Sequence, residues 1–402
     1  MTGPVLNRRF FLKGGLSGAC SLAAHPLMST VTFAGSNGGR PLGDHRLVVI
    51  ILRGAMDGLD VVRPFGDPML TRYRPHITRG DKGLELDGFF WMHPALTELT
   101  PLFAKGELGF VHAASTPYRD KRSHFDGQDM LEAGTGSDVP IGSVRDGWLN
   151  RMLQAMPGLE ASTAYSVGAA EMPVLAGDAP FSTWAPDQPL DLSAAARALL
   201  EQVYADDPLF HASAAQAMKM SIHLQNPETM GKKPAGPFDD DLALADFTAA
   251  RLNEDTRIAA FSLSGWDTHR GQEGAITKPL QHLAQVILRL RDGLAANWGK
   301  TLVVAMTEFG RTARENGTQG TDHGTGGAMV LAGGALKGGR VMGQWPGLDE
   351  AALFERRDLM PTSDVRAWAG HALRGMYGLD KALIEKTIFP GLILPADPGL
   401  LL

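Results

Sequence analysis

The sequence predicts an α/β protein with a mostly parallel central sheet covered by helices on both faces. Short aliphatic runs bounded by polar residues or glycine recur along the chain, a pattern typical of buried strands. Helical patterns separate several of these runs. One spans Pro94 to Lys105 and opens on a proline suited to a first helical turn, and another spans Pro279 to Trp298 with a continuous apolar face. Strands that alternate with helices indicate parallel pairing.

Six aliphatic runs are the predicted strands. In chain order they are Leu47–Leu52, Leu108–Ala113, Ala164–Val167, Ile258–Leu263, Thr301–Met306 and Ala328–Ala332. Residues 150–250 depart from the alternation. Leu192–Leu224 has a helical pattern, and Asn226–Asp241 is rich in Pro, Gly, Lys and Asp with almost no periodicity. We therefore expect a helical insertion at about 150–250 that ends in a loop, within one large domain over residues 35–402.

Composition and charge exclude several classes of protein. The 402 residues are 44% apolar and 20% charged, which is ordinary for a globular protein and argues against a disordered or fibrous chain. The 38 basic and 44 acidic residues give a net charge of −6, so no general attraction to nucleic acid is expected. After the first 34 residues no run of 18 apolar residues occurs, so the sequence predicts no transmembrane segment there.

Residues 1–34 resemble a twin-arginine export signal. Arg8 and Arg9 precede Phe-Phe-Leu-Lys, a run rich in Gly, Ala, Ser and Leu follows, and Thr32-Phe33-Ala34 ends it as a small-residue cleavage pattern. The alternative is a basic N-terminal helix of the folded protein, for which the glycine content is poor. Cleavage would remove three basic residues and no acids, changing the net charge from −6 to −9. We expect a periplasmic or secreted protein that uses the twin-arginine export machinery.

Cys20 is the single cysteine and lies inside this leader, so the exported protein would have neither a thiol nor a disulfide. Its alternative role is lipid attachment, but Ser17 stands where a lipobox prefers an aliphatic residue.

Metal-ligand residue types follow the predicted strands. In open parallel sheets, ligands bind beyond the carboxyl ends of the strands, so these positions should converge. Carboxylates and imidazoles in such a place suit one or two divalent metal ions. The candidate metal ligands are Asp57, Asp267, His269, Glu308, Asp322 and His323.

Each candidate also has a purely structural interpretation. Asp267 suits a helix N-cap beside a surface His269, and Asp57 and Asp322 stand in glycine-containing turns. Glu308 would be costly to bury unpaired and could instead form a buried ion pair with Arg311 or Arg314. Zinc is favoured by imidazole with carboxylate, whereas a site richer in oxygen would favour manganese, magnesium or calcium.

A serine in the segment after the second strand suits a nucleophile. Ser123 stands at a predicted helix start, where unpaired backbone donors and the positive helix end would stabilise an anion or an alkoxide. The simpler interpretation is a helix N-cap supported by Asp126. Arg122 and His124 could hold an anionic substrate or make surface ion pairs, and Arg311 is a third candidate for substrate contact.

Taken together, these segments resemble the domain-of-unknown-function family 1501 over nearly the whole chain after the leader. With the block from Leu47 to Pro64, the resemblance is carried by Arg122-Ser123-His124-Phe125, Gly265-Trp266-Asp267-Thr268-His269, Thr307-Glu308-Phe309-Gly310-Arg311-Thr312 and Gly320-Thr321-Asp322-His323-Gly324. Proteins of that family are exported, often by the twin-arginine route. The resemblance implies an alkaline-phosphatase-like three-layer fold, related to the sulfatases.

The resemblance also implies roles for single residues. Asp57 matches the first metal-bridging aspartate, Ser123 the nucleophile and His323 the last histidine. Asp267 and His269 match an Asp and His pair that relatives usually space by three residues. At Glu308-Phe309 relatives carry Asp-His, so Phe309 removes one ligand.

The function that we expect is metal-dependent hydrolysis of a phosphate or sulfate ester outside the cytoplasm, with an anionic ester as substrate. A formylglycine sulfatase is excluded, because Ser123 is followed by His-Phe-Asp rather than by the Pro and Arg that the modification needs. Nucleotide-binding and zincin motifs are absent from the sequence. The alternative is a catalytically impaired binding or structural protein acting on a cell-surface polymer, as Phe309 hints. A third interpretation, an exported oxidoreductase, rests on the export route alone and would require a bound redox cofactor.

Overall fold

The computed structural model describes residues 42–119, 121–156, 158–186 and 239–402. The leader with Cys20, and the helix expected over Leu192–Leu224, lie outside these residues. So does most of the loop expected over Asn226–Asp241, whose last three residues begin the helix Asp239–Leu252. Within the expected insertion, residues 158–186 contain two strands of the central sheet.

A central sheet of nine strands and a small antiparallel sheet of three organise the described residues. The strands are β1 (Arg46–Leu52), β2 (Val62–Arg63), β3 (Leu84–Glu85), β4 (Trp91–Met92), β5 (Leu108–Ser115), β6 (Ala164–Val167), β7 (Ser182–Trp184), β8 (Ile258–Leu263), β9 (Thr301–Met306), β10 (Gly327–Ala332), β11 (Val341–Met342) and β12 (Ser363–Asp364). All six predicted strands are present, within two residues of their predicted ends.

The central sheet has the order β11-β5-β10-β9-β1-β8-β6-β7, with β12 also paired to β5. Six of its eight pairings are parallel, and the two antiparallel ones both involve β10. The mostly parallel α/β fold predicted from the sequence is therefore confirmed. The remaining strands, β2, β4 and β3, form the small sheet.

Helices surround the central sheet. They are α1 (Gly58–Val61), α2 (Met69–Tyr73), α3 (Thr100–Ala104), α4 (His124–Ala133), α5 (Trp148–Gln154), α6 (Asp239–Leu252), α7 (Gln272–Ala275), α8 (Thr277–Leu294), α9 (Val365–Tyr377) and α10 (Lys381–Leu383). Short 3-10 turns cover Pro94–Leu99, Ala161–Thr163, Pro173–Leu175, Ala295–Lys300 and Glu350–Ala352, and a π-helical turn covers Ile384–Ile388.

Both predicted helices are present, each in two parts. The pattern from Pro94 is a 3-10 turn followed by α3, because Pro101 has no backbone N–H to continue one ladder through both. The pattern from Pro279 is α8 followed by a 3-10 turn. None of the helices in the described part of the chain is both long and apolar enough to span a bilayer.

Strand β1 shows the three layers directly. Its seven residues are all buried, and its side chains alternate between the two faces of the sheet. Leu47, Val49 and Ile51 join a core with residues of α5 and α9. Val48, Ile50 and Leu52 join a second core with residues of α6 and α8. Burial on both faces explains why the parallel strands are continuous apolar runs.

The parallel strands place their following loops at one edge. Because β8, β1 and β9 are adjacent and parallel, the segments that follow them meet at their carboxyl ends. The loop before β10 reaches the same edge through a bridge between Arg311 and His323. The fold thus brings the predicted site segments into one region.

Buried His112 on β5 predicts a fold that loses stability in acid. Its Nε2 donates to the Val62 carbonyl at 3.0 Å, and its Nδ1 accepts from the Ala113 N–H at 2.9 Å, so the neutral ring is fully bonded. Burial lowers the pKa of His112 to about 4. The unfolded state takes up a proton near pH 6.5 and the folded state resists it down to about pH 4, so stability falls as the pH falls through this window.

We expect this histidine to contribute about 3 kcal/mol to the loss of unfolding free energy between pH 6.5 and 4. Urea unfolding at several pH values should show a shallower dependence in His112→Gln, whose amide can donate and accept but does not titrate. Equal slopes in the two proteins would contradict the assignment.

Candidate metal centre

Three histidines converge on Asp267 at the edge where the strands end. Nε2 of His269 lies 3.0 Å and Nε2 of His323 3.3 Å from Oδ1 of Asp267. Nε2 of His124 lies 3.5 Å from the other oxygen, Oδ2. The Nε2 atoms of His269 and His323 are 3.0 Å apart. The ligand atoms of His124, Asp267 and His323 all lie within 4.8 Å of one another, and His269 adjoins this group through Asp267 and His323.

The other ring nitrogen of each histidine faces an acceptor. Nδ1 of His124 lies 2.7 Å from Oε1 of Glu308, and Nδ1 of His269 lies 3.3 Å from Oδ1 of Asp322. Nδ1 of His323 lies 2.8 Å from the carbonyl oxygen of Arg122. With the proton on Nδ1 each ring would donate to its acceptor and would leave its Nε2 lone pair to a cation, whereas the other tautomer would donate from Nε2 to Asp267.

This donor set fits a divalent metal ion. His124 Nε2 is buried and has no hydrogen-bond partner, and the Nε2 atoms of His269 and His323 lie 3.0 Å apart, which suits two ligands of one ion as well as an N–H···N hydrogen bond. Ligands about 2.1 Å from a tetrahedral zinc ion are about 3.4 Å from one another. The observed separations of 3.0–3.5 Å are close to that spacing. Metal-ligating histidines commonly donate their other nitrogen to a carboxylate or carbonyl, as they do here.

Arg311 organises the loops around Asp267. Its guanidinium is buried and donates to the carbonyls of Gly54, Ala55, Trp266 and Thr321, and also to Asp267 Oδ1 at 2.5 Å. Burial acts to raise the pKa of Asp267, but the bond and charge of Arg311 outweigh it and hold that pKa below its usual value. The Arg311 donors are thus occupied by protein groups, and the side chain is placed to position Asp267 rather than to contact a substrate.

Glu308 lies behind His124. Its buried carboxylate accepts from the N–H groups of Gly54 and Ala55, from Gln128 and from Thr307, as well as from His124. Burial acts to raise the pKa of Glu308, yet these hydrogen bonds, with that of His124 the largest, keep it lowered. The same bond is the largest cause of the raised pKa of His124. Glu308 therefore orients an imidazole and does not itself lie among the converging atoms.

Phe309 packs against the same imidazole. Its ring is stacked on His124 with centroids 5.3 Å apart and planes 19° apart. It also lies 5.4 Å from the ring of His323. The residue that departs from the family resemblance thus forms an apolar support for two of the converging histidines.

Two other predicted ligands lie outside the converging set. Asp57 is buried and forms an ion pair with Arg74 at 2.6 Å while it caps α1 through the Leu59 N–H. Its oxygens are therefore held by the protein. Asp322 accepts from Asn316 at 3.0 Å and from Nδ1 of His269. It therefore contacts a histidine of the cluster and does not lie among the converging atoms.

Ser123 is the N-cap of α4, as the structural interpretation predicted. Its Oγ accepts weakly from the Asp126 N–H at 3.5 Å, and its own N–H donates to the Tyr118 hydroxyl at 3.0 Å. It is only partly buried. It directly precedes His124 in the chain, and its hydroxyl faces the start of α4.

The preceding residue, Arg122, has a left-handed backbone with φ 56°, and its carbonyl is the acceptor for His323. Its guanidinium is ion-paired with Glu355 at 2.7 Å and Asp358 at 3.0 Å. The part that Arg122 plays at the site therefore comes from its backbone. Of the three predicted substrate contacts, His124 lies in the cluster, and Arg122 and Arg311 are engaged in protein contacts.

The sequence analysis did not find Gln128 and Tyr118. Gln128 lies four residues after His124 on α4, a spacing that places both on one helix face, and both side chains contact Glu308. The four-residue spacing from His124 was the sequence feature that could have identified Gln128. No sequence feature distinguishes Tyr118, whose ring packs against Phe309 with centroids 6.1 Å apart.

Gly127 lets α4 approach this site closely. A Cβ at Gly127 would lie 2.9 Å from the Phe309 ring and 3.2 Å from Glu308 Cβ. Alanine normally stabilises a helix interior by about 1 kcal/mol over glycine, but here the contact should reverse the sign. We expect Gly127→Ala to lower the unfolding free energy by about 1–3 kcal/mol in denaturant titrations. Gly274→Ala, in α7 with nothing within 4 Å of the new Cβ, should be neutral or stabilising. A stable Gly127→Ala protein would contradict the packing argument.

A mostly parallel α/β domain with a cluster of histidines and a carboxylate beyond its strand ends is the class of protein that the fold and site define. The chain belongs to the family described as protein of unknown function (DUF1501), whose model matches residues 44–387. No curated protein matches the chain.

Several solved structures align with the chain at low sequence identity. A protein in the alkaline phosphatase superfamily from Vibrio parahaemolyticus has 13% identity and a TM-score of 0.41, over 92% of this chain and 74% of that chain. The C-terminal periplasmic domain of EcEptC from Escherichia coli has 11% identity and a TM-score of 0.39, over 90% and 91% of the two chains. Alkaline phosphatase from the Antarctic bacterium TAB5 has 9% identity and a TM-score of 0.31, over 74% and 92%.

Proposed function

We propose that this protein is an exported, metal-dependent hydrolase of phosphate or sulfate esters that uses Ser123 as its nucleophile. The observation that carries the proposal is the convergence of three histidine Nε2 atoms on Asp267, with each Nδ1 facing an acceptor. The ion that we propose is zinc, because imidazole with carboxylate is its usual ligand set. His124, Asp267, His269 and His323 would hold it.

A divalent cation at this point would neutralise charge on the ester oxygens and act as a Lewis acid. The chain supplies the rest of the chemistry. The start of α4 presents backbone donors and a positive helix end beside Ser123, which suits an anionic ester. Glu308, Asp322 and the Arg122 carbonyl would accept from the three Nδ1–H groups and would orient the Nε2 atoms before substrate binds.

The proposed reaction has two steps. Ser123 Oγ loses its proton and bonds to phosphorus or sulfur while the ester bond breaks and the alcohol leaves with a proton. Water then attacks the serine ester, which releases phosphate or sulfate and restores the hydroxyl. The Tyr118 hydroxyl accepts from the Ser123 N–H and lies 3.4 Å from Asp126, so it fixes the backbone at the nucleophile.

Metal analysis combined with an ester screen tests this proposal. The full chain, purified without chelators, should contain about one zinc ion per chain. It should hydrolyse at least one of p-nitrophenyl phosphate, bis-p-nitrophenyl phosphate and p-nitrophenyl sulfate. EDTA should abolish this turnover, and zinc should restore it. A metal-free protein without turnover would refute the proposal. Bound metal without turnover on any ester would favour the catalytically impaired protein that binds a cell-surface polymer.

We further propose export by the twin-arginine route to the periplasm or the exterior. Support comes from Arg8 and Arg9 ahead of the apolar run and from the cleavage pattern at Ala34. Replacing both arginines with lysine should retain the protein inside the cell, as cell fractionation would measure. Unchanged export of the double variant would contradict this route.

A further inference from the structure

A buried glutamine side chain links the two loops that carry three of the four converging residues. Gln272 is the first residue of α7 and has no exposed surface. Its Oε1 accepts from the Thr268 hydroxyl at 2.9 Å and from the Thr321 hydroxyl at 2.6 Å. Thr268 stands between two converging residues of the β8 loop (residues 264–271), and Thr321 shortly precedes the converging histidine of the β10 loop (residues 307–326). One amide oxygen thus contacts both loops.

The amide nitrogen of Gln272 is held by two buried carboxylates. It donates to Oδ2 of Asp57 and, at 2.9 Å, to Oδ2 of Asp60. Each carboxylate is also paired with an arginine, Asp57 with Arg74 at 2.6 Å and Asp60 with Arg63 at 2.8 Å. Because ionised carboxylates only accept, the NH2 group of the amide faces the acids and its oxygen faces the hydroxyls. The amide therefore makes all four of its hydrogen bonds within one buried network.

Backbone hydrogen bonds join the same two loops. The Thr321 N–H donates to the Thr268 carbonyl at 3.2 Å, and the Gln272 N–H donates to the Gln319 carbonyl at 2.9 Å. The amide of Gln272 therefore lies at a junction where backbone and side-chain hydrogen bonds both connect the β8 loop to the β10 loop. Loss of its side-chain bonds would leave buried hydroxyls and carboxylate oxygens without a partner, which is costly.

We infer that Gln272 is a positioning residue that fixes the separation between the β8 loop and the β10 loop, and so between Asp267 and His323. These two residues come from different loops, yet Nε2 of His323 lies 3.3 Å from Oδ1 of Asp267. A metal centre needs its ligands held at such separations by the groups around them. The inference rests on the proposed function for its role in metal binding, whereas the connection between the loops is a property of the metal-free protein.

The double variant Thr268→Val with Thr321→Val tests the inference in the full chain. It removes both hydroxyls from the amide oxygen and leaves Gln272 bonded to Asp57 and Asp60. We expect zinc affinity, measured by competition with a chromophoric chelator, to fall by about 10–100-fold. In the metal-free protein, the N–H groups of Thr321 and Gln272 should exchange with deuterium about tenfold faster or more, as mass spectrometry of their peptides would show.

The matched control is Thr268→Ser with Thr321→Ser, which keeps both hydroxyls and should restore zinc affinity and slow exchange. Gln272→Met removes all four hydrogen bonds at similar side-chain length and should weaken zinc binding at least as much as the valine pair. The valine pair keeps the inference testable if Gln272→Met does not fold.

Three results would overturn the inference. Unchanged exchange in the valine pair would show that the amide does not hold the loops together. Unchanged zinc affinity with faster exchange would indicate a contact that stabilises the fold only. An equal loss of affinity in the serine pair would assign the effect to packing. If the unmodified chain binds no zinc, the proposed metal centre fails, and the exchange rates still decide whether Gln272 joins the loops.

Discussion

Asp267→Asn should empty the metal centre. The substitution keeps the shape of the side chain and an oxygen that can accept from Arg311, but it removes the negative charge on which the three Nε2 atoms converge. We expect the metal content measured by mass spectrometry to fall from about one ion per chain to less than about a tenth of that. Ester hydrolysis should fall in proportion.

Two further variants make this result specific. Asp322→Asn changes a carboxylate that contacts His269 at Nδ1, on the side away from Asp267, so metal affinity should fall by about 10–100-fold without being abolished. His76→Ala removes an exposed histidine that is paired with Glu315 and should leave the metal content unchanged. Full metal occupancy in Asp267→Asn would show that the cluster does not hold an ion.

The sheet was predictable because burial on both faces leaves a direct mark on the sequence. Strand β9 is a run of six buried residues, and such a run is difficult to place anywhere but in a covered sheet. The direction of β10 was harder to predict. No α-helix lies in the 20 residues between β9 and β10, so the chain lacks the crossover that parallel pairing requires and returns antiparallel.

The region of the site was also predictable, but not which atoms meet there. Because β8 and β9 are both parallel to β1, residues 267–269 and 308–311 follow these strands at the same edge of the sheet, independent of the conformations of their side chains. Whether a carboxylate faces the centre or stands behind a histidine depends on the backbone over one or two residues. Glu308 and His124 show this difference, because the predicted ligand orients the imidazole while the predicted substrate contact joins the cluster.

Asp57 shows a second limit on what sequence can predict. Its position after β1 is the one expected for a ligand, yet Arg74, 17 residues away, lies within 2.6 Å of it. That ion pair depends on how the segment after α2 folds back over α1, which no local pattern encodes. The Asp57 carboxylate has a bidentate arginine partner that occupies both of its oxygens, so it is paired without a metal.

Ser123→Ala should separate catalysis from metal binding. The hydroxyl is the nucleophile of the proposed reaction, and Ser123 makes no contact with Asp267, His269 or His323 among the hydrogen bonds of its side chain. We expect turnover to fall by about a thousandfold or more, while the metal content stays at its original level. Steady-state kinetics and metal analysis on the same preparation would measure both.

The N-cap role of Ser123 must be distinguished from this chemical role. Alanine at an N-cap costs about 1 kcal/mol of stability, whereas glycine costs only a few tenths, so Ser123→Gly removes the hydroxyl with little effect on α4. Both variants should lose turnover equally if the hydroxyl attacks the ester. If Ser123→Gly stays active while Ser123→Ala does not, the helix end matters and the nucleophile lies elsewhere. Full activity in both variants would point to attack by water, with the histidine cluster and not the serine as the catalytic centre.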